Sequence, residues 1–364
     1  MMTTKRTQIW QIPRGSYDTD GDLARNPKIR KAAAIIKQGG LVAFPTETVY
    51  GLGADGLAEK AVASIFAAKG RPSDNPLILH IAELSVLDQL VGSVPQSAKH
   101  LMELFWPGPL TLVLPKLPAV PMITTGGLSS VAVRMPNHPI ASALIKAAGT
   151  PLAAPSANTS GRPSPTRAEH VVSDLMGKID VILDGGPTGL GVESTVLDCT
   201  GPTPKILRPG GVDKEALEDA LGTCVQLSAE LGKEIGSFPS HKYGHYAPNA
   251  PTAVVLGEPQ GLFENLAAKA QELTCKGEQV GLMISRETMQ YWQDQAVDFS
   301  HWQVVVMGSR TNLAEVGTAV YEGLRTLDAH HVTQILLESV PTQGLGFAIM
   351  NRLLKAADFW TVGE

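Results

Sequence analysis

"NPKIRKAAAIIKQGGLVAFP", residues 26–45, sets a helix signal directly before a strand signal, with a glycine pair between them. Asn26 is a capping residue, Pro27 suits the first helical position, and Gly39 can end a helix in the left-handed region. Ile29, Ala32, Ala33 and Ile36 recur at helical spacing and make one apolar face. "LVAFP" then reads as a short buried strand. Outward from this stretch the alternation returns: helix "AEKAVASIFAAKG", strand "PLILHI", helix "SAKHLMELFW", strands "LTLVLP" and "SVAVRMP", helix "PIASALIKAAG". "PLAAPS", "VILDGG" and "STVLDCT" read as further strands. Short buried strands alternating with helices predict an α/β domain with a mixed sheet.

A second unit begins near Pro251. "TAVVLG", "QVGLMIS", "WQVVVMG" and "TQILLES" are four strand candidates, each followed by a helical pattern such as "GLFENLAAKAQEL". Four successive βα units predict a small, mostly parallel, doubly wound sheet. No GxGxxG fingerprint follows its first strand, so nothing there supports nucleotide binding. Between the units, "IGSFPSHKYGHYAPNAP" reads as an extended linker. Its Tyr243, His245 and Tyr246 are unusual for a passive tether.

The chain has 364 residues, 43% apolar and 18% charged, which suits a globular protein with room for two domains. A formal net charge of -5 argues against a general polyanion binder. Three scattered cysteines without CxxC spacing suggest neither a disulfide framework nor a zinc site, and hence a reducing compartment. No leader-like apolar region opens the sequence, and no apolar run approaches the ~18 residues of a membrane span. The expected address is the cytoplasm, with no membrane partner.

Chemistry-bearing residues gather in loops at strand ends. "KGRPSDNPLILHI" (69–81) fixes Lys69 and Arg71 at a Pro corner before a strand that carries His80. Taken alone, Lys69 would complement a helix dipole, Arg71 would form a surface ion pair, and His80 would be an ordinary half-buried histidine. "FPTETVYGLGADG" (44–56), "APSANTSGRPSPT" (154–166), "DGGPTGLGVESTVLD" (184–198) and "LRPGG" (207–211) add hydroxyls, glycines and a second Arg-Pro corner. Loops of this kind at sheet edges bind anions and nucleotides. A Walker A sequence is absent, and the sequence offers no nucleophile elbow, metal-spaced His cluster or glycosidase-like carboxylate pair that can be placed.

"GGLVAFPTETVYGLG", "KGRPSDNPLILHI", "WPGPLTLVL", "VAVRMPNHP", "APSANTSGRPSPT", "ESTVLD" and "LRPGG", in that order, resemble the signature blocks of the Sua5/YciO/YrdC family. The extra C-terminal unit and the "HKYGHYAP" linker resemble its long Sua5 form. The resemblance implies a twisted mixed sheet with helices forming a large cleft, followed by a small Rossmann-like parallel α/β domain. The implied domains are a catalytic domain over 1–235, a linker and active-site lid over 236–250, and the C-terminal domain over 251–364.

The implied activity is that of an L-threonylcarbamoyladenylate synthase, a nucleotidyltransferase. It would condense L-threonine, bicarbonate or CO2 and ATP with Mg2+, with no dedicated protein ligands for the metal, and would serve the t6A modification of tRNA. The product would pass to a tRNA threonylcarbamoyl transferase complex, and a weak tRNA contact is a further expectation. Matched block by block, Thr48, His80, Arg134, Ala154 and Ser194 fall where the family contacts threonine. Arg71, Asn75, Ser130, Ser156, Ser164 and Arg208 fall where it contacts ATP, with Tyr243 and His245 of the linker near the nucleotide. Lys69 and Arg71 are the expected catalytic cations, aimed at phosphates. Gly244 stands where the family usually has Arg, so that phosphate contact is not carried over. Two other readings compete: an RNA-binding module, weakened by the acidic net charge, and another carbamoyl-adenylate enzyme, which would be expected to carry zinc-finger-like cysteines.

Overall fold

Asn26 opens its helix by accepting the amide of Lys28 on its side chain, at 2.9 Å. That helix, Pro27–Lys37, ends on Gln38, and Gly39 follows in the left-handed region at φ +82. The computed structural model describes residues 5–13, 20–229, 231 and 246–362. It divides into two compact units, one of residues 1–160 with 164–238, the other of 161–163 with 239–364.

The strands of the first unit are β1 (Gln8–Gln11), β2 (Val42–Phe44), β3 (Gly51–Asp55), β4 (Ile78–His80), β5 (Leu110–Pro115), β6 (Ser130–Arg134), β7 (Leu152–Ala153), β8 (Val181–Asp184), β9 (Thr195–Asp198), β10 (Lys205–Arg208) and β11 (Gln226–Leu227). They form one mixed sheet in the order β1-β8-β2-β3-β7-β4-β6-β5-β9-β10-β11. Helices α1 (Asp20–Arg25), α2 (Pro27–Lys37) and α6 (Pro139–Ala148) pack together. Their Ile29, Ile36, Ile140 and Leu144 share a core with Val42, Phe44, Val181 and Leu183 of the sheet. Full burial of each such Ile or Leu is worth about 1.5–3 kcal/mol. Of the remaining helices, α3 (Glu59–Lys69) leads into the cationic corner; α4 (Leu87–Leu90), α5 (Gln96–Phe105), α7 (Ala168–Leu175) and α8 (Lys214–Leu221) complete the unit.

One stretch differs from its sequence reading. "GLGAD" is not a loop; it is the buried strand β3, antiparallel to β2. Its glycines are there for space, because a Cβ on Gly53 would lie 2.7 Å from the Phe44 ring. Alternation of apolar side chains, the usual strand signal, is missing where two of five residues are glycine.

In the second unit β12 (Thr252–Leu256), β13 (Val280–Ile284), β14 (Gln303–Val306), β15 (Gln334–Glu338) and β16 (Phe359–Val362) run parallel, in the order β14-β13-β15-β12-β16. The sequence reading found four of these strands and missed β16. Helix α9 (Pro259–Cys275) packs with α10 (Arg286–Asp294), and α11 (Leu313–Ala329) with α12 (Leu345–Ala356). Glu338, at the end of β15, is fully buried and accepts the Ser285 amide at 2.6 Å, the Ser285 hydroxyl at 2.8 Å and the Thr288 hydroxyl at 2.7 Å. Arg310 closes this network on the same carboxylate.

Candidate active site

β6 carries the centre of the site. Val131 and Val133 point one way into apolar packing, so Ser130, Ala132 and Arg134 share the other face. Pairing of β4 with β6 sets His80 beside Arg134, and pairing of β4 with β7 brings the chain to Ala154, whose amide donates to Ile78 at 3.0 Å. Arg134 is 4% exposed. Its Nε donates to the Gly108 carbonyl at 3.2 Å and its Nη1 to the Thr48 hydroxyl at 3.1 Å. Thr46 spends its own hydrogen on the Val49 carbonyl, so Thr48 donates to Thr46 and meets the guanidinium as an acceptor. With Nε engaged, the arginine can offer a carboxylate only its Nη1/Nη2 end.

His80 is buried and its Nδ1–H donates to the Ile78 carbonyl at 3.2 Å. Burial first and the Arg134 cation second push its pKa down to about 3, so the ring is neutral at physiological pH. Ser194 reaches the same neighbourhood by another route. The Thr195 amide donates to Pro109, next to the Gly108 that anchors Arg134, and Gly191 donates to Thr48. The Ser194 hydroxyl lies 2.8 Å from that of Thr111, and Arg208 donates to the Ser194 carbonyl at 2.8 Å. "LRPGG" meets "ESTVLD" at backbone distance: a Cβ on Gly210 would fall 2.3 Å from the Glu193 carbonyl oxygen. That second Arg-Pro corner is therefore glycine-rich for packing.

Of the described residues matched to ATP, all but Ser164 are less deeply buried. Arg71, Asn75, Ser130, Ser156 and Arg208 are half-buried, whereas Thr48, His80, Arg134, Ala154 and Ser194 are buried. Arg71 donates Nη2 to the Pro76 carbonyl at 3.2 Å and turns back over the Asn75–Pro76 corner. Ser164 is buried and donates to Glu193 at 2.6 Å. Tyr243 and His245 lie outside the described residues.

Lys69 corrects the sequence reading. It is not a cation set out at the corner: it is 2% exposed, and its ammonium donates to the carbonyls of Ser156 and, at 2.5 Å, Asn158. The Ser160 amide returns a bond to the Lys69 carbonyl at 2.9 Å. Burial, then repulsion from Arg71, lowers its pKa well below the usual lysine value. The buried residues of α3, Ala61, Val62, Ile65, Phe66 and Ala68, make one broad face, and Lys69 falls inside it. Lys69 thus ties the hydroxyl-rich loop 156–160 to the end of α3.

Sequence reasoning also missed two acids, both inside quoted blocks. Glu193 holds Ser164, and Glu47 lies 2.7 Å from Arg134 Nη2. An acid directly before Thr48 was the available signal. Among the described residues no group of three or more His, Cys, Asp or Glu is arranged to hold a metal, and no helix is long and apolar enough to cross a membrane. Cys199, Cys224 and Cys275 are free thiols, and burial pushes that of Cys199 up to about 12.

A mixed-sheet α/β unit with a buried arginine at its strand ends, followed by a parallel α/β unit, has known counterparts. Residues 34–210 match the family described as telomere recombination, Sua5/YciO/YrdC, and the chain belongs to it. Residues 212–358 match the threonylcarbamoyl-AMP synthase C-terminal domain, which makes this the long Sua5 form. A threonylcarbamoyl-AMP synthase of Bacillus subtilis is 49% identical over 97% of this chain and 98% of its own length. One from Pyrococcus abyssi is 48% identical over 91% and 94%. The crystal structure of P. abyssi Sua5 complexed with L-threonine superimposes with a TM-score of 0.87 at 42% identity, covering 98% of this chain and 99% of that one. Escherichia coli YciO matches 58% of this chain, with a TM-score of 0.51 and 26% identity.

Proposed function

We propose that this chain is an L-threonylcarbamoyladenylate synthase, condensing L-threonine, bicarbonate or CO2 and ATP to threonylcarbamoyl-AMP and pyrophosphate. The observation that carries the reading is the buried Arg134 with Thr48 and His80 around it, in a chain whose full-length relatives bear that name. The threonine amine takes up CO2 as a carbamate, and a carbamate oxygen attacks the α-phosphorus while pyrophosphate leaves. No protein nucleophile is required. The protein's task is to hold two mutually repelling anions in line and to stabilise charge on the phosphoryl group.

Arg134 takes the substrate carboxylate through its Nη1/Nη2 end, with Thr48, His80, Ala154 and Ser194 around the rest of the amino acid. A neutral His80 adds no second cation beside that carboxylate, so Arg134 alone sets its charge preference. Arg71 and Arg208 face the nucleotide with Asn75, Ser130 and Ser156. Lys69 acts on the nucleotide through the loop it holds. Magnesium would arrive on the nucleotide's phosphates, the described acids offering no ready cage. Tyr243 and His245 would serve as a lid over the labile acyl-adenylate. The work belongs in the cytoplasm, where a tRNA threonylcarbamoyl transferase complex would take up the product for t6A.

Pyrophosphate release tests this reading. It should require ATP, threonine and bicarbonate together, and Arg134→Ala should raise the threonine KM by roughly 10²-fold or more through loss of a charge-assisted pair. Release that ignores threonine, or an Arg134→Ala enzyme with an ordinary threonine KM, would sink it.

A further inference from the structure

Glu47 and Arg134 form an ion pair with unused capacity on both sides. Their closest atoms, Oε1 and Nη2, are 2.7 Å apart, yet the approach lies off the N–H direction. Both Glu47 carboxylate oxygens and Arg134 Nη2 are buried, and none has a hydrogen-bond partner among the described residues. Buried polar atoms are nearly always paired, because stripping them of water without a replacement is costly. The guanidinium is otherwise fixed, by Gly108 at Nε and by Thr48 at Nη1. The Glu47 backbone is tethered: its carbonyl accepts the Leu190 amide at 2.8 Å, and Thr48 follows directly. A fixed guanidinium and a carboxylate therefore stand side by side, each with buried polar atoms that no hydrogen bond among the described residues satisfies.

An α-amino acid carries the complementary pattern, a carboxylate and an ammonium on one carbon. We propose that Glu47 recognises the substrate's α-ammonium, so that Arg134 and Glu47 together read the amino-acid zwitterion. The inference rests on the threonine reading above and assigns a residue which that reading left without a role. The ammonium has three donors for the vacant carboxylate positions, and the substrate carboxylate accepts from Nη2. Each buried charge then gains a directed partner, and the substrate charges lose little by leaving water. The arrangement selects amino acids over hydroxy acids before any CO2 or ATP is involved.

Binding of two ligands to the full-length protein, measured by calorimetry without ATP, separates the possibilities. One ligand is L-threonine; the other is 2,3-dihydroxybutanoate of matching stereochemistry, in which a hydroxyl replaces the ammonium. The wild type should prefer threonine by tenfold or more, the scale of a charge-assisted hydrogen bond. Glu47→Gln should weaken threonine alone and shrink the preference to within about twofold. Glu47→Asp, which restores the charge on a shorter arm, should recover part of it. The proposal is overturned if Glu47→Gln keeps the full preference, or weakens both ligands equally, which would mean that Glu47 only props Arg134. If the wild type binds neither ligand, the threonine reading itself has failed, a result distinct from loss of the preference alone.

Discussion

His80 shows how a residue can be legible as a candidate and illegible as chemistry. Its place in "PLILHI" marks it as a candidate, but its charge state depends first on its burial and then on Arg134, which strand pairing sets beside it from another segment. Its folded pKa of about 3 lies below the ordinary value of 6.5, so between those limits the unfolded chain binds more protons. Stability from this group is therefore fully present above about pH 6.5 and is lost as pH falls toward 3, by up to a few kcal/mol. Urea unfolding at pH 7, 5.5 and 4.5 should lose less stability on acidification in His80→Gln than in the wild type. Equal losses would place the acid sensitivity elsewhere. Lys69 teaches the same lesson in reverse. The sequence presents a cation at a helix end, and only the fold reveals that the Ser156 and Asn158 carbonyls claim it. A charge is visible in a sequence; its partners are not.

Elements were most legible where one physical signal dominated. Helix α2 announces itself by cap, proline, apolar spacing and terminal glycine, and each of these has its expected place. Strand β3 does not, because its glycines make room for Phe44 and leave no alternation to read. In the second unit the strand pattern was clear, but nothing in "TQILLES" disclosed that its glutamate would be buried. Glu338 anchors the ends of β13 and β15 and the start of α10 through Ser285, Thr288 and Arg310. Removing one partner of such a network leaves a buried charge unpaired, at a cost of about 3–5 kcal/mol. Glu338→Ala should lower the denaturant midpoint of the second unit accordingly, as followed by the fluorescence of Trp292 and Trp302 in its core. A change below about 1 kcal/mol would show that the network contributes little to stability.

Across the whole molecule, the two-unit α/β architecture could be read from the sequence. The strand order could not, because it depends on which distant edges meet. In the first unit β7 is only Leu152–Ala153, yet it pairs with both β3 and β4 and joins the two halves of the sheet. The β5–β6 pair is closer in sequence and should form first, since local contacts cost less closure entropy. Pulse-labelled hydrogen exchange during refolding should protect Val131 and Val133 before Leu152 and Ala153; the opposite order would refute this. The same two-residue seam bears on how the chain is made. On the ribosome, β4 emerges about 70 residues before its partner in β7, a delay of roughly 4–14 s at typical elongation rates. For that interval two sheet edges stand open beside nascent apolar strands, the situation in which chains pair wrongly with one another. Translation speed and chaperone supply, rather than final stability, should then govern how much of this protein a cell recovers in working form.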